Sequence, residues 1–300
     1  MRATSNRAFR RIVAAAALIC CCGGGEGGTP PAVVATVAIT APAAPVVFGA
    51  VGRTLQLSAQ ALTASGTPIP TATVSWSSSN AAVASVSSSG LVTAVSDGTT
   101  LITASSGAQT SPPLAITVQQ VPVRLTLSPA PLTFGALGST RQMVATLRDS
   151  LGAPTTTPAA VWLVSSRGTV SISASGLVTS LAVSPPGQAD SIRATVTIGN
   201  ATFTMAMAVL VNQLVATVAI AATSPGPDTL FTTGRQRQFT ATPRDSNGNA
   251  MAVPVTWGQS GPAAISVDTN GLATAVTDGI ANVTATAGGR VGTRPLVVRR

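Results

Sequence analysis

A tryptophan followed at a fixed distance by a Gly-Leu pair occurs three times in the chain, and this repetition limits the fold more than any other feature. Trp76, Trp162 and Trp257 precede Gly90, Gly176 and Gly271 by 14 residues in each case. A second glycine keeps step upstream: Gly52 and Gly138 lie 24 residues before their tryptophans, and Gly234 lies 23 before its own. The tryptophans are 86 and 95 residues apart. A repeat of that length is too long for a solenoid unit and suits a small independent domain.

Within each repeat the apolar residues alternate with polar ones, the period of a strand with one buried face. In "TLQLSAQA" Leu55, Leu57, Ala59 and Ala61 share a face, and Ala72, Val74 and Trp76 do the same in "ATVSW". The second repeat keeps the pattern with Ala160, Trp162 and Val164, and the third with Val253, Val255 and Trp257. One inward tryptophan per repeat is expected at the centre of a core. Turns at Gly90, Gly176 and Gly271 and at the Asp97-Gly98 and Asp278-Gly279 pairs separate further short strands. About seven strands fit each repeat, which predicts a two-sheet sandwich of immunoglobulin type.

Trp76 with "SSSN", the strand "VASVS", the segment "GLVTAV" and the turn at Asp97-Gly98 resemble the bacterial immunoglobulin-like domain of group 2, found in intimin- and invasin-type adhesins. The resemblance runs in three copies from about residue 33 to the end. The second copy departs from it, because "LAVSPPGQAD" replaces the Asp-Gly turn by a longer loop. What the resemblance implies is a β-sandwich used for display, adhesion or carbohydrate attachment, without catalytic activity.

The N-terminus reads as an address. A basic start, an apolar run from Ile12 to Ile19 and small residues afterwards make a secretory signal peptide, and the run is too short to span a bilayer. All three cysteines, Cys20, Cys21 and Cys22, close it, so the repeats contain none and hold no disulfide. Leu18 to Cys21 resemble the lipobox of bacterial lipoproteins, with Cys21 as the lipidated residue. Cys20 departs from the small residue usual before cleavage, which leaves Cys20 and Cys22 as alternatives, beside a plain signal peptide or a metal-binding cysteine cluster. The expected organisation is an all-β chain of three tandem immunoglobulin-like β-sandwich domains after a signal peptide and a flexible tether. Its parts are a lipoprotein signal peptide (1–20), a Gly/Pro-rich tether (21–32) and domains at 33–119, 120–213 and 214–300.

Charge and chemistry narrow the function. Only 8% of the residues are charged, and all 17 basic residues are arginine. Removing Arg2, Arg7, Arg10 and Arg11 with the leader leaves 13 arginines against 8 acids. These are scattered and few aromatic rings accompany them, a poor match to a nucleic-acid binder. With no histidine, lysine or tyrosine, the usual general bases and activated nucleophiles are missing, and no catalytic residue, cofactor or small-molecule substrate is expected. Asp149 and Asp245 recur in an "RDS" turn, as Asp97 and Asp278 recur in the Asp-Gly turn, so each is expected to bond its own turn. "DSNGNA" alternates Asp245, Asn247 and Asn249, but its glycine falls at the fourth place and Thr256 stands at the twelfth, so it fails the EF-hand pattern. A hairpin turn is the expectation, and no metal site is assigned. Phe48, Phe134, Phe203, Phe231 and Phe239 are all expected in cores, which leaves no aromatic platform for a sugar.

The expected function is therefore non-enzymatic: a membrane-anchored cell-surface stalk for adhesion or display, its partner a cell-surface protein or carbohydrate. A periplasmic or wall-associated carbohydrate-binding protein or spacer is the alternative.

Overall fold

The computed structural model describes residues 32–42 and 45–299. Cys20, Cys21, Cys22, Glu26 and the rest of the leader and tether lie outside the described residues. Every regular element among those described is a β-strand, and no helix among them is long and apolar enough to cross a membrane.

In the first repeat the strands form two layers. One holds Thr36–Ala41 paired with Ser58–Leu62, and Thr54–Gln56, Leu91–Ala94 and Ala84–Val86 side by side. The other has the order Val46–Phe48, Leu114–Val118, Gly98–Ser106, Ser75–Ser78. Two strands open the repeat, one in each layer. Thr36–Ala41 is antiparallel to its neighbour, whereas Val46–Phe48 is parallel to the last strand of the repeat. The same parallel closure recurs as Leu132–Phe134 with Ala201–Val211 and as Thr229–Phe231 with Arg290–Arg299. No sheet among the described residues joins strands of two repeats.

The inward faces fill the space between the layers. Leu57, Ala84 and Val92 from one layer meet Ile102, Ile116 and Val118 from the other, all at most 1% exposed. Met143, Val178, Ile192 and Val209 take these roles in the second repeat, and Phe239, Ala273, Val283 and Leu296 in the third. Each fully buried large side chain of this kind stabilises the fold by about 1.5–3 kcal/mol.

The tryptophans do not occupy the centres. Trp76, Trp162 and Trp257 are half-buried and pack against the rims of the clusters. Each indole rests on the glycine 14 residues later. A Cβ at Gly90 would stand 2.9 Å from Trp76 and 2.9 Å from the Leu57 carbonyl, with similar approaches of 2.9 Å from Gly176 to Trp162 and 2.7 Å from Gly271 to Trp257. The glycines have φ of +82°, +85° and +80°, which any other residue adopts only under strain. The fixed spacing in the sequence is thus a single contact made three times.

Phe231 is the clear departure from the expected cores. Leu230 pairs with Val298 as Phe48 pairs with Val118 and Phe134 with Val211, and it takes the buried position. Phe231 is displaced by one residue onto the outer face, where it is 61% exposed. Counting back from the glycine hides this, because Leu230 and Phe231 are both apolar and adjacent.

Candidate functional site

The polar side chains with the most elaborate surroundings lie where one repeat meets the next. Asp149 and Asp245 stand in equivalent turns and are nearly fully buried. In each, Oδ1 accepts from the turn itself: Leu151 and Ala153 N–H at 3.0 Å for Asp149, Asn247 and Asn249 N–H at 3.0 and 2.9 Å for Asp245. The other oxygen reaches the preceding repeat. Oδ2 of Asp149 accepts from Val51 N–H at 3.0 Å and from the Gln120 amide at 2.9 Å. Oδ2 of Asp245 accepts from Leu137 N–H at 3.0 Å and from the Gln213 amide at 2.8 Å. These carboxylates make their own turns and also latch the turn to its neighbour, a second role that local sequence reasoning missed. Its one sequence signal is the glutamine that recurs just after the closing strand.

Burial pushes the Asp245 carboxyl up, but donors from Asn249, Gln213 and Leu137 outweigh it and hold the group well below the usual carboxylate range. Asp149 is lowered by the same balance, with burial opposed by Gln120, Val51, Ala153 and Leu151. Both latches therefore act as full anions at neutral pH.

The connecting segments are bonded on both sides. Gln119 and Val121 N–H donate back to Phe48 and Gly49 at 2.9 Å, and Val123 N–H donates forward to Arg148 at 2.8 Å. Asn212, Leu214 and Ala216 repeat the pattern on Phe134, Gly135 and Arg244. At the first junction the Gln120 N–H also donates to Asp97 at 2.7 Å, so this Asp-Gly turn residue holds the connector. At the second, the amides of Asn247 and Asn249 donate to the Leu137 carbonyl at 2.8 and 2.9 Å. With these amide nitrogens and backbone N–H groups directed at oxygens, "DSNGNA" is a hydrogen-bonded turn in contact with its neighbour. Asp278 also interacts within the structure. No group of three or more His, Cys, Asp or Glu comes together among the described residues.

The remaining acids have structural surroundings as well. Asp190 is fully buried and accepts from Ser165, from the backbone and hydroxyl of Thr169, and from Val170 N–H. Burial pushes it up and these donors more than compensate, so its carboxyl is lowered. Thr100 does the equivalent work in the first repeat, accepting from Asn80 N–H at 2.9 Å. Asp268 accepts from Asn270 and Leu272 N–H in the turn that contains Gly271.

Asp228 differs from all of these. It occupies the place of Val46 and Leu132, two residues before Leu230, where the other repeats bury an apolar side chain. Arg294 binds it at 2.8 Å and Arg237 approaches at 3.5 Å. Arg294 stands where the register places Leu114 and Met207, opposite Val283 as they are opposite Ile102 and Ile192. Arg237 stands where Leu55 and Arg141 stand. Both guanidiniums lie over the Phe239 ring, at 6.0 and 5.9 Å from its centre. The third repeat has thus replaced one apolar corner by two cations around one anion.

Residues 33–118 match the model of the bacterial Ig-like domain (group 2). No curated protein matches the chain. Among solved structures it is similar to domains 1–6 of the surface layer protein SbsC, at 15% identity and a TM-score of 0.30, over 89% of this chain and 40% of that one. It is also similar to extracellular domains 3–5 of Drosophila OTK, at 13% identity and a TM-score of 0.42, over 90% and 99% of the two chains. Invasin, a bacterial integrin-binding protein, is similar at 14% identity and a TM-score of 0.34, over 88% and 58%. The chain spans about 40% of the surface layer structures' length.

Proposed function

We propose that this chain, whose first repeat is a bacterial Ig-like domain of group 2, is an exported, lipid-anchored, non-enzymatic stalk of three tandem domains serving adhesion or display at the cell surface. The observation that carries this reading is the pair of equivalent junctions. A flexible string of domains needs only a solvated linker, whereas here each connector is hydrogen-bonded on both sides and a buried carboxylate bridges the gap. That arrangement serves a chain whose task is to hold its far end at a distance. The carboxylates of Asp97, Asp149, Asp190, Asp245 and Asp268 are engaged by donors in turns, junctions or a buried loop, which suits scaffolding better than acid–base work. Cys21 is the proposed lipid attachment point, with Cys20 and Cys22 as alternatives.

A second reading, a periplasmic or wall-associated carbohydrate-binding protein or spacer, is favoured by the outward Phe231. The test is external proteolysis of intact cells carrying a C-terminal tag, with a periplasmic protein as integrity control and labelled palmitate to follow acylation. Loss of the tag and loss of label in Cys21→Ala support the surface stalk. A protected tag overturns surface display and leaves the periplasmic reading.

A further inference from the structure

The same cleft is present in all three repeats, between the segment entering the parallel strand and the strand that begins just after the upstream glycine. In the first it is lined by Val46, Phe48, Arg53 and Leu55, with a volume of about 450 Å³. In the second it is about 410 Å³, and Asn247 of the third repeat enters it. In the third it is about 310 Å³, and its walls include Ser224, Thr229, Phe231, Arg235, Gln236 and Arg237. The backbone frame is common, so the differences lie in what the side chains present.

Three differences converge in the third cleft. Arg237 lines it and belongs to the cluster with Asp228 and Arg294, which keeps one positive charge in excess in a place that is apolar in the first repeat. The Arg237 side chain is 10% exposed, yet its Nε and Oδ1 of Asp228 have no hydrogen-bond partner. Removing charges from water without full pairing is expensive. Arg235, which stands where Arg53 stands in the first cleft, adds to this charge a second cation at the mouth, and among the described residues no hydrogen bond or ion pair engages its side chain. Phe231 offers an exposed ring beside it, and the next residue, Thr232, has φ of +81°. A β-branched residue there is a backbone outlier, and such outliers cluster at ligand sites.

Phe231 also changes what this face can receive. It stands where Gly49 and Gly135 stand, and a Cβ on those glycines would lie 3.7 and 3.6 Å from Val121 and Leu214 of the next connector. A phenyl ring at that position puts bulk where the first two repeats leave room for a connector side chain.

We infer that the cleft of the third repeat binds an acidic saccharide, with a sugar carboxylate on Arg235 over the excess positive charge of the cluster and a pyranose face on Phe231. A guanidinium matches a carboxylate in a paired geometry that a lysine would not provide. The electron-rich ring face suits the C–H face of a sugar, while Ser224, Thr229 and Gln236 offer partners for its hydroxyls. Arg237 acts as a positioning residue. It donates to the carbonyls of Ser224, Gly226 and Pro227 and so holds the loop that forms one wall.

The inference goes beyond the stalk reading and is tested on the full chain purified in detergent, where neither anchoring nor surface exposure affects the result. Oligogalacturonate is titrated calorimetrically, with dextran, polyglutamate and single-stranded DNA as competitors. Arg235→Ala and Phe231→Ala are each expected to weaken oligogalacturonate at least tenfold without moving the melting temperature, while Arg53→Ala in the first repeat has no effect. The triple variant Asp228→Val, Arg237→Leu, Arg294→Leu is expected to lose binding while melting no earlier, as hydrophobic replacement of buried ion clusters commonly allows. Absent binding, or binding indifferent to Arg235 and Phe231, overturns the site. Equal affinity for polyglutamate or DNA overturns the saccharide assignment.

Discussion

Oδ2 of Asp245 lies 3.0 Å from the backbone nitrogen of Leu137, a residue 108 positions earlier in the chain, and Oδ2 of Asp149 stands at the same distance from Val51, 98 positions earlier. The two bonds are one device used at successive junctions. The first repeat has Thr63 at this place in the turn, with its hydroxyl accepting from Thr67 N–H at 3.1 Å. A hydroxyl suffices to close the turn. The carboxylate stands where a preceding repeat must also be held.

Asp245→Ala is expected to leave Leu137 N–H and the Gln213 amide without an acceptor and to cost about 2–3 kcal/mol. Because the lost bonds cross the junction, small-angle scattering should show a broader distribution of end-to-end distances. Thr63→Ala, which loses only the local bond, should leave that distribution unchanged.

Acid should release the latches. Asp149, Asp190 and Asp245 all have carboxyls lowered in the folded chain, so the unfolded chain takes up protons first as the pH falls. Their stabilisation is present above the unfolded carboxylate value of about 3.9 and is lost as the pH drops through the lower folded values. Melting temperature is expected to be flat from neutral pH to about 5 and to fall steeply below about 4. The Asp149→Asn, Asp245→Asn double variant should show a shallower fall.

Each glycine under an indole should resist substitution. Gly271→Ala places a Cβ 2.7 Å from Trp257 and 2.9 Å from the Phe239 carbonyl at φ of +80°. The strain and overpacking should cost about 2–4 kcal/mol, with the change in tryptophan emission confined to the altered repeat. Gly66→Ala in the first repeat, where nothing lies within 4 Å, should cost only the backbone strain.

Asp190 offers a comparison between repeats. Asp190→Ala strands two backbone N–H groups and the Thr169 hydroxyl in a buried loop and should cost about 2–3 kcal/mol. Asp190→Thr, which installs the residue found at the equivalent Thr100, should recover part of that loss in denaturant unfolding.

The sandwich was legible from the sequence because alternation and turns are local. Leu55, Leu57, Ala59 and Ala61 alternate inward as read, and the Trp–Gly spacing marked a true contact. The latches were only half legible, since Asp149 and Asp245 announce their turns by position, whereas their reach into another repeat depends on how the repeats are joined. Phe231 was misplaced for a simpler reason. A one-residue shift along a strand reverses the face a side chain occupies, and Leu230 could take the inner position equally well. The charged corner at Asp228 becomes visible only when Val46, Leu132 and Asp228 are aligned through strand pairing.

The parallel closure of each repeat has a mechanical consequence. The short strand near the start of a repeat lies beside the strand that leaves it, as Val46–Phe48 lies beside Leu114–Val118 and Thr229–Phe231 beside Arg290–Arg299. Tension on the two ends draws such neighbours past each other along their length, so the bonds between them share the load and must break together. An antiparallel terminal pair pulled from one end would open one bond at a time. The parallel pair is therefore the part of each repeat that shares such a load.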